Sequence, residues 1–150
     1  MRALIIYDTR TGMTEHVGKA IEAGLEANGV EAIMMKAGAV TAADLEYADA
    51  WVFGSPVHFW GPTGAAKKAL KAALATGAGG KRFATFDTRY AGFKSPGAAG
   101  KLADALREGG AMQVMEPSTF AVETGKGPLA KGEETRAVEL GRQLAERLKG

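Results

Sequence analysis

Five times along this chain a short apolar or β-branched run gives way to an Ala- and Leu-rich stretch of helical spacing. The first run, Ala3 to Tyr7, is apolar at every position. A strand with one wet face alternates apolar and polar residues, so a continuous run implies helices on both sides of its sheet. Val17, Ala20, Ile21, Gly24 and Leu25 then fall at helical spacing, and Asn28-Gly29 supplies a stop. Val30 to Met35, Ala50 to Phe53, Lys81 to Phe86 and Ala111 to Met115 read as the next four strands, the last extended by Thr119 to Val122 beyond the break at Pro117. Thr41 and Asp44 match a capping box, and the final helix opens on Glu133 and Glu134 and closes on Arg147 and Lys149, the charge order the helix dipole favours. Together these predict a three-layer, doubly wound α/β fold with a five-stranded parallel sheet over residues 1–150.

Composition narrows the chemistry. With no cysteine, the chain has no disulfide, no thiolate nucleophile and no cysteine-ligated iron–sulfur or zinc centre. Its two histidines, His16 and His58, make a histidine-rich metal site unexpected. Any redox chemistry must therefore reside on something bound. The formal charge of +2 is spread without a basic block, which argues against nucleic acid. No apolar run approaches the ~18 residues of a membrane span, and the expectation is a cytoplasmic protein.

In an open parallel sheet, ligands bind beyond the carboxyl ends of the strands. The loop after the first strand runs Asp8-Thr9-Arg10-Thr11-Gly12-Met13-Thr14 and offers three hydroxyls and a helix start. Such a loop suits a phosphate, which accepts hydrogen bonds from hydroxyls and amides and gains from the helix dipole. Thr11 and Thr14 are equally suited to capping the helix. No Walker or dinucleotide glycine pattern follows the first strand, so nucleoside triphosphate hydrolysis is not expected.

The loop after the third strand, Gly54 to Gly64, packs His58, Phe59 and Trp60 into three consecutive positions. They cannot all enter one core, which leaves a flat ligand or a protein contact as their partner. The segment after Phe86, Asp87-Thr88-Arg89-Tyr90-Ala91-Gly92, adds a further ring and further donors. A hydroxyl-rich anion site beside two aromatic loops describes a pocket for a phosphorylated planar ring.

These motifs resemble the flavodoxin-like family. Thr9, Thr11, Gly12 and Thr14 match its T-x-T-G-x-T loop, Trp51 to Pro56 resembles its third strand and G-[ST]-P turn, and Phe86 to Tyr90 stands where its third flavin-contacting loop lies. The resemblance implies the strand order 2-1-3-4-5 and FMN as cofactor. Thr9, Arg10, Thr11, Gly12, Met13 and Thr14 would cradle the phosphate. Ser55, Pro56, Val57, His58, Phe59, Trp60 and Gly61, with Asp87, Thr88, Arg89, Tyr90 and Gly92, would bracket the isoalloxazine, Trp60 and Tyr90 stacking on it. In the family a peptide of the second loop flips toward reduced flavin, and Trp60-Gly61 is where that flip is expected here. Arg10 in the phosphate loop and a pI near 8.9 depart from the neutral loop and acidic character of its electron carriers.

The implied function is FMN-dependent electron transfer between redox protein partners, as a monomer or weak homodimer. The alternative is an FMN-dependent reductase or oxidase of a small substrate such as a quinone. A flavin-free interaction domain on the same fold stays open. A phosphorelay receiver does not fit, because the first strand ends in the single acid Asp8 and the third in Phe53-Gly54-Ser55, without a phosphorylatable Asp.

Overall fold

The computed structural model describes residues 1–91 and 97–150. Strands β1 (Arg2–Tyr7), β2 (Glu31–Lys36), β3 (Ala50–Pro56), β4 (Arg82–Tyr90), β5 (Met112–Gln113) and β6 (Ser118–Val122) form one parallel sheet. Helices α1 (Met13–Ala27), α2 (Ala42–Tyr47), α3 (Gly64–Thr76), α4 (Ala98–Glu108) and α5 (Glu133–Lys149) cover its two faces. The sheet order is β2-β1-β3-β4-β5, as the resemblance implied, and β6 shares the position beside β4.

The apolar run of β1 feeds two cores. Ala3 and Ile5 join Val17, Ile21, Leu144 and Leu148 under α1 and α5. Leu4 and Ile6 join Leu45, Trp51, Phe53, Leu102 and Leu106 under α2, α3 and α4. Successive strand residues point to opposite faces, so each strand supplies both layers. Helices α1 and α5 meet at two glycines: a Cβ on Gly24 would lie 2.1 Å from the Val138 carbonyl oxygen, and one on Gly141 2.3 Å from that of Ile21. The close crossing brings the α1 axis tight against α5 and fixes where α1 begins at the strand ends.

Two expectations are corrected. The fourth strand runs past Phe86 to Tyr90, so Asp87, Thr88, Arg89 and Tyr90 are strand residues and not a loop. Asp87 and Thr88 pair with Ser55 and Pro56 of β3, and Phe86 to Tyr90 pair with β6 on the other side. The fifth strand shrinks to Met112–Gln113, because Pro117 has no amide to continue the ladder; the pairing resumes at Ser118. The capping box is present: Thr41 Oγ1 accepts from the Asp44 amide, and the Asp44 carboxylate accepts from the Thr41 amide at 2.9 Å. Among the described residues no helix is long and apolar enough to cross a membrane.

Candidate functional site at the strand ends

The carboxyl end of β1 is tied to that of β3 by the Asp8 amide, which donates to the Gly54 carbonyl at 3.1 Å. Asp8 then accepts from the Thr9 amide at 3.0 Å, and Thr9 Oγ1 accepts from the Gly12 amide at 2.9 Å. These bonds curl the loop so that Gly12 reaches φ 91°, a left-handed conformation open to glycine without a Cβ clash. Helix α1 starts there with no side chain capping it, and its first backbone bond is from the His16 amide to the Gly12 carbonyl. Neither Thr11 nor Thr14 caps the helix. Thr14 is buried and its hydroxyl meets that of Thr88 at 2.9 Å, fastening the loop to β4. Arg10 and Thr11 are exposed, and Gly12 and Met13 half-buried. An uncapped helix start aims its free amides at whatever lies beyond the strands, which favours an anion.

The second loop is pinched at its base. Buried Ser55 accepts from the Thr63 amide at 3.1 Å and donates to the Pro56 carbonyl at 2.8 Å, and Thr63 caps α3. Its hydroxyl is therefore spent inside the fold. The Val57 amide donates to the Thr88 carbonyl at 3.2 Å. His58 and Gly61 exchange two backbone bonds, of 2.7 and 3.1 Å, across a turn whose central residues are Phe59 and Trp60. Both have positive φ, 47° and 67°. Bulky L-residues in that region carry a cost of about 1–2 kcal/mol each. Phe59 is 85% exposed and Trp60 57% exposed, so the turn lifts both rings out of the core. At Trp60-Gly61, where the resemblance places the flip, the left-handed residues are Phe59 and Trp60, and the Gly61 amide donates to the His58 carbonyl. The His58 ring meets Phe59 edge-on at 4.3 Å.

The extension of β4 supports more than it presents. Asp87 is fully buried; its Oδ2 accepts from the Ala99 amide at 2.9 Å and from Arg89 at 3.1 Å. It thereby caps α4, whose own N-cap Gly97 has no side chain to do so. Only Tyr90, half exposed, offers a ring at the surface. Asp87 and Arg89 neutralise one another inside the fold. Gly92, named from the sequence, lies outside the described residues.

A fourth segment borders the site, and it went unnoticed in the sequence. After β6 the chain turns through Thr124, Gly125, Lys126 and Gly127, closed by the Gly127 amide donating to the Thr124 carbonyl at 3.1 Å. A Cβ on Gly127 would lie 2.7 Å from Met13 Sδ, and one on Gly125 2.6 Å from Tyr90 Oη. The segment thus touches both the α1 start and the Tyr90 ring. Its Gly-rich composition directly after the Thr119 to Val122 strand was the available signal.

Burial pushes the pKa of the Tyr7 hydroxyl, at the end of β1, upward, and the Glu15 carboxylate adds to the shift. Among the described residues no cluster of His, Asp and Glu could hold a metal ion. A separate groove of about 530 Å³ lies between the broken edge strand and α5, lined by Val114, Glu116, Arg136 and Arg147, away from these loops.

Comparisons with known proteins agree with this architecture. The family model for Flavodoxin matches residues 5–145. No curated protein matches the chain. Among solved structures, a flavodoxin from the domain Archaea is 21% identical with a TM-score of 0.85, each chain covered in full. Oxidised flavodoxin 1 from Bacillus cereus is 18% identical with a TM-score of 0.83, over 97% of this chain and 98% of that one. A flavodiiron core from Synechocystis matches 99% of this chain but 36% of its own, at 19% identity and a TM-score of 0.84. At these identities the structures speak for the fold, and the family model, spanning nearly the whole sequence, shows that this chain belongs to the flavodoxin family.

Proposed function

We propose that the strand ends bind FMN and that the protein carries electrons between redox partners. The observation that carries this reading is the uncapped, glycine-started α1 terminus at the same strand ends as two exposed aromatic residues, Trp60 and Tyr90. An uncapped helix start suits the FMN phosphate, and exposed rings suit the flat isoalloxazine. Residues 9–14 would hold the phosphate through amides and the Thr11 hydroxyl, with Arg10 adding a positive charge. Trp60 and Tyr90 would cover the ring and keep water from it. Ser55, Asp87, Thr88 and Thr14 serve as struts, since the Ser55, Thr88 and Thr14 hydroxyls and Asp87 Oδ2 are already engaged within the fold.

Bound FMN would supply the electron chemistry itself. Nothing in the reading requires a protein acid or base, in keeping with Ser55 being turned inward. The test is reconstitution with FMN followed by potentiometric titration. Two separated one-electron waves are expected of a carrier. A single two-electron wave, with direct turnover of a nicotinamide donor and a quinone, would contradict that role and support the reductase alternative.

A further inference from the structure

The 37 residues from Ala50 to Phe86 contain five basic residues and no acidic one. They include the Phe59–Trp60 turn and all of α3. Lys67, Lys68 and Lys71 are exposed on the outer face of α3, while Ala66, Ala69 and Ala73 face the core. The helix begins three residues after Gly61, so at about 1.5 Å per residue its lysines lie within roughly 10 Å of its start. Lys101 of α4 brings a fourth cation directly to the turn: its Cδ and Nζ both lie 3.4 Å from a Cβ placed on Gly61. None of these four lysines forms an ion pair with a described acidic residue.

The opposite layer differs. In α1, Lys19 pairs with Glu15, and in α5, Arg136 pairs with Glu133 while Arg142 pairs with both Glu139 and Glu146. There the charges cancel locally. On α3 itself they add, while on the neighbouring α4 Arg107 pairs with Asp104 and leaves Lys101 unpaired among the described residues; an exposed aromatic ring, Phe59, stands at the edge of this charged strip. An apolar anchor rimmed by unpaired cations is the pattern of a surface that steers and then seats an oppositely charged protein.

We infer that the Phe59 turn, the outer face of α3 and Lys101 form the docking face for an acidic electron-transfer protein. The inference rests on the flavin reading above and names the partner chemistry of that site. A second copy of this chain does not fit, because lysines would meet lysines. Lysine, with its hydrated charge on a flexible stem, suits a contact that forms and releases quickly.

The test uses FMN-loaded protein, its flavin reduced anaerobically by light with EDTA as the sacrificial electron donor, mixed in stopped flow with ferric cytochrome b5, which is acidic, or ferric cytochrome c, which is basic. Each haem iron takes one electron from the reduced flavin and becomes ferrous. The rate with cytochrome b5 is expected to fall about tenfold as salt rises through the physiological range, and the rate with cytochrome c is expected not to fall. Lys67→Glu/Lys68→Glu/Lys71→Glu should slow cytochrome b5 about tenfold at low salt and speed cytochrome c. The same reversal at Lys19, Lys131 and Lys149 should change either rate less than about twofold. Equal effects of the two triple variants, or a cytochrome b5 rate indifferent to salt, would overturn the docking face and leave the flavin reading standing. Free flavin fluorescence in the oxidised sample, before reduction, would instead show that FMN is not held, which overturns the flavin reading and the docking face with it.

Discussion

The loop at residues 9–14 and the turn at residues 58–61 stand at the same end of the sheet and solve the same steric problem in opposite ways. Each needs left-handed backbone. The first places glycine there, at Gly12 with φ 91°, and starts its helix without a side-chain cap. The second places Phe59 and Trp60 there, with φ 47° and 67°, and accepts strain to hold two rings in the open. A loop built on glycine is suited to bringing backbone close to a ligand, whereas a turn built on aromatics is suited to presenting surface. The difference separates the roles before any ligand is considered: backbone donors at one loop, ring faces at the other.

Four substitutions probe that division. The largest effect is expected at Asp87, which caps α4 and pairs with Arg89 while fully buried. Asp87→Ala should cost about 3 kcal/mol in chemical denaturation, because it removes both the α4 cap and the countercharge of the mostly buried Arg89 guanidinium. Since α4 carries the Lys101 stem that lies on Gly61, the damage should fall on the turn and spare the 9–14 loop. A selective loss of protection from hydrogen exchange near residues 58–61 would show this.

Gly12→Val is next. A β-branched residue at positive φ should destabilise by about 2 kcal/mol and weaken FMN at least tenfold more than it weakens riboflavin, which lacks the phosphate. Equal losses for the two ligands would remove the phosphate from this loop.

Glu133 serves as a control remote from both rings. The Arg136 hydrogen bond, assisted by one from the Ala121 amide, holds its carboxyl below the usual range despite the opposing effect of burial. A depressed folded-state pKa stabilises above the unfolded value and is lost as pH falls through the folded one. Glu133→Gln should therefore cost about 1 kcal/mol near neutral pH, with the difference from the parent protein closing in acid. A difference independent of pH would refute the ionised bond.

The smallest effect has the opposite sign. Trp60→Gly should relieve left-handed strain and stabilise the flavin-free protein by up to about 1 kcal/mol, while weakening flavin binding. Gain of stability with loss of affinity would separate fold from function at one residue. Loss of both would show that Trp60 is packed for the fold and not for a ligand.

The layered fold was legible because each βα unit announces itself within a dozen residues, as the spacing from Val17 to Leu25 and the Thr41–Asp44 box do. What escaped depends on distant partners. Asp87 looks like a turn residue until the Ala99 amide and Arg89 are found beside it. The Ser55 hydroxyl reads as a free loop group until the Thr63 amide is found donating to it. The Phe59–Trp60 turn runs against local backbone preference, so no propensity could announce it. The segment from Thr124 to Gly127 follows a strand the sequence shows, but its contacts with Met13 and Tyr90 exist only once β6 lies beside β4. The aromatic cluster, by contrast, was visible as an excess of rings too dense for one core.

The account turns on one property, that FMN binds at these strand ends with its phosphate on the 9–14 loop. A fluorescence titration of the purified protein with FMN and with riboflavin tests it directly. Quenching that saturates at one FMN per chain, with riboflavin bound at least tenfold more weakly, is the predicted result. Flavin fluorescence left unquenched by the protein, or equal affinity for the two ligands, would contradict it.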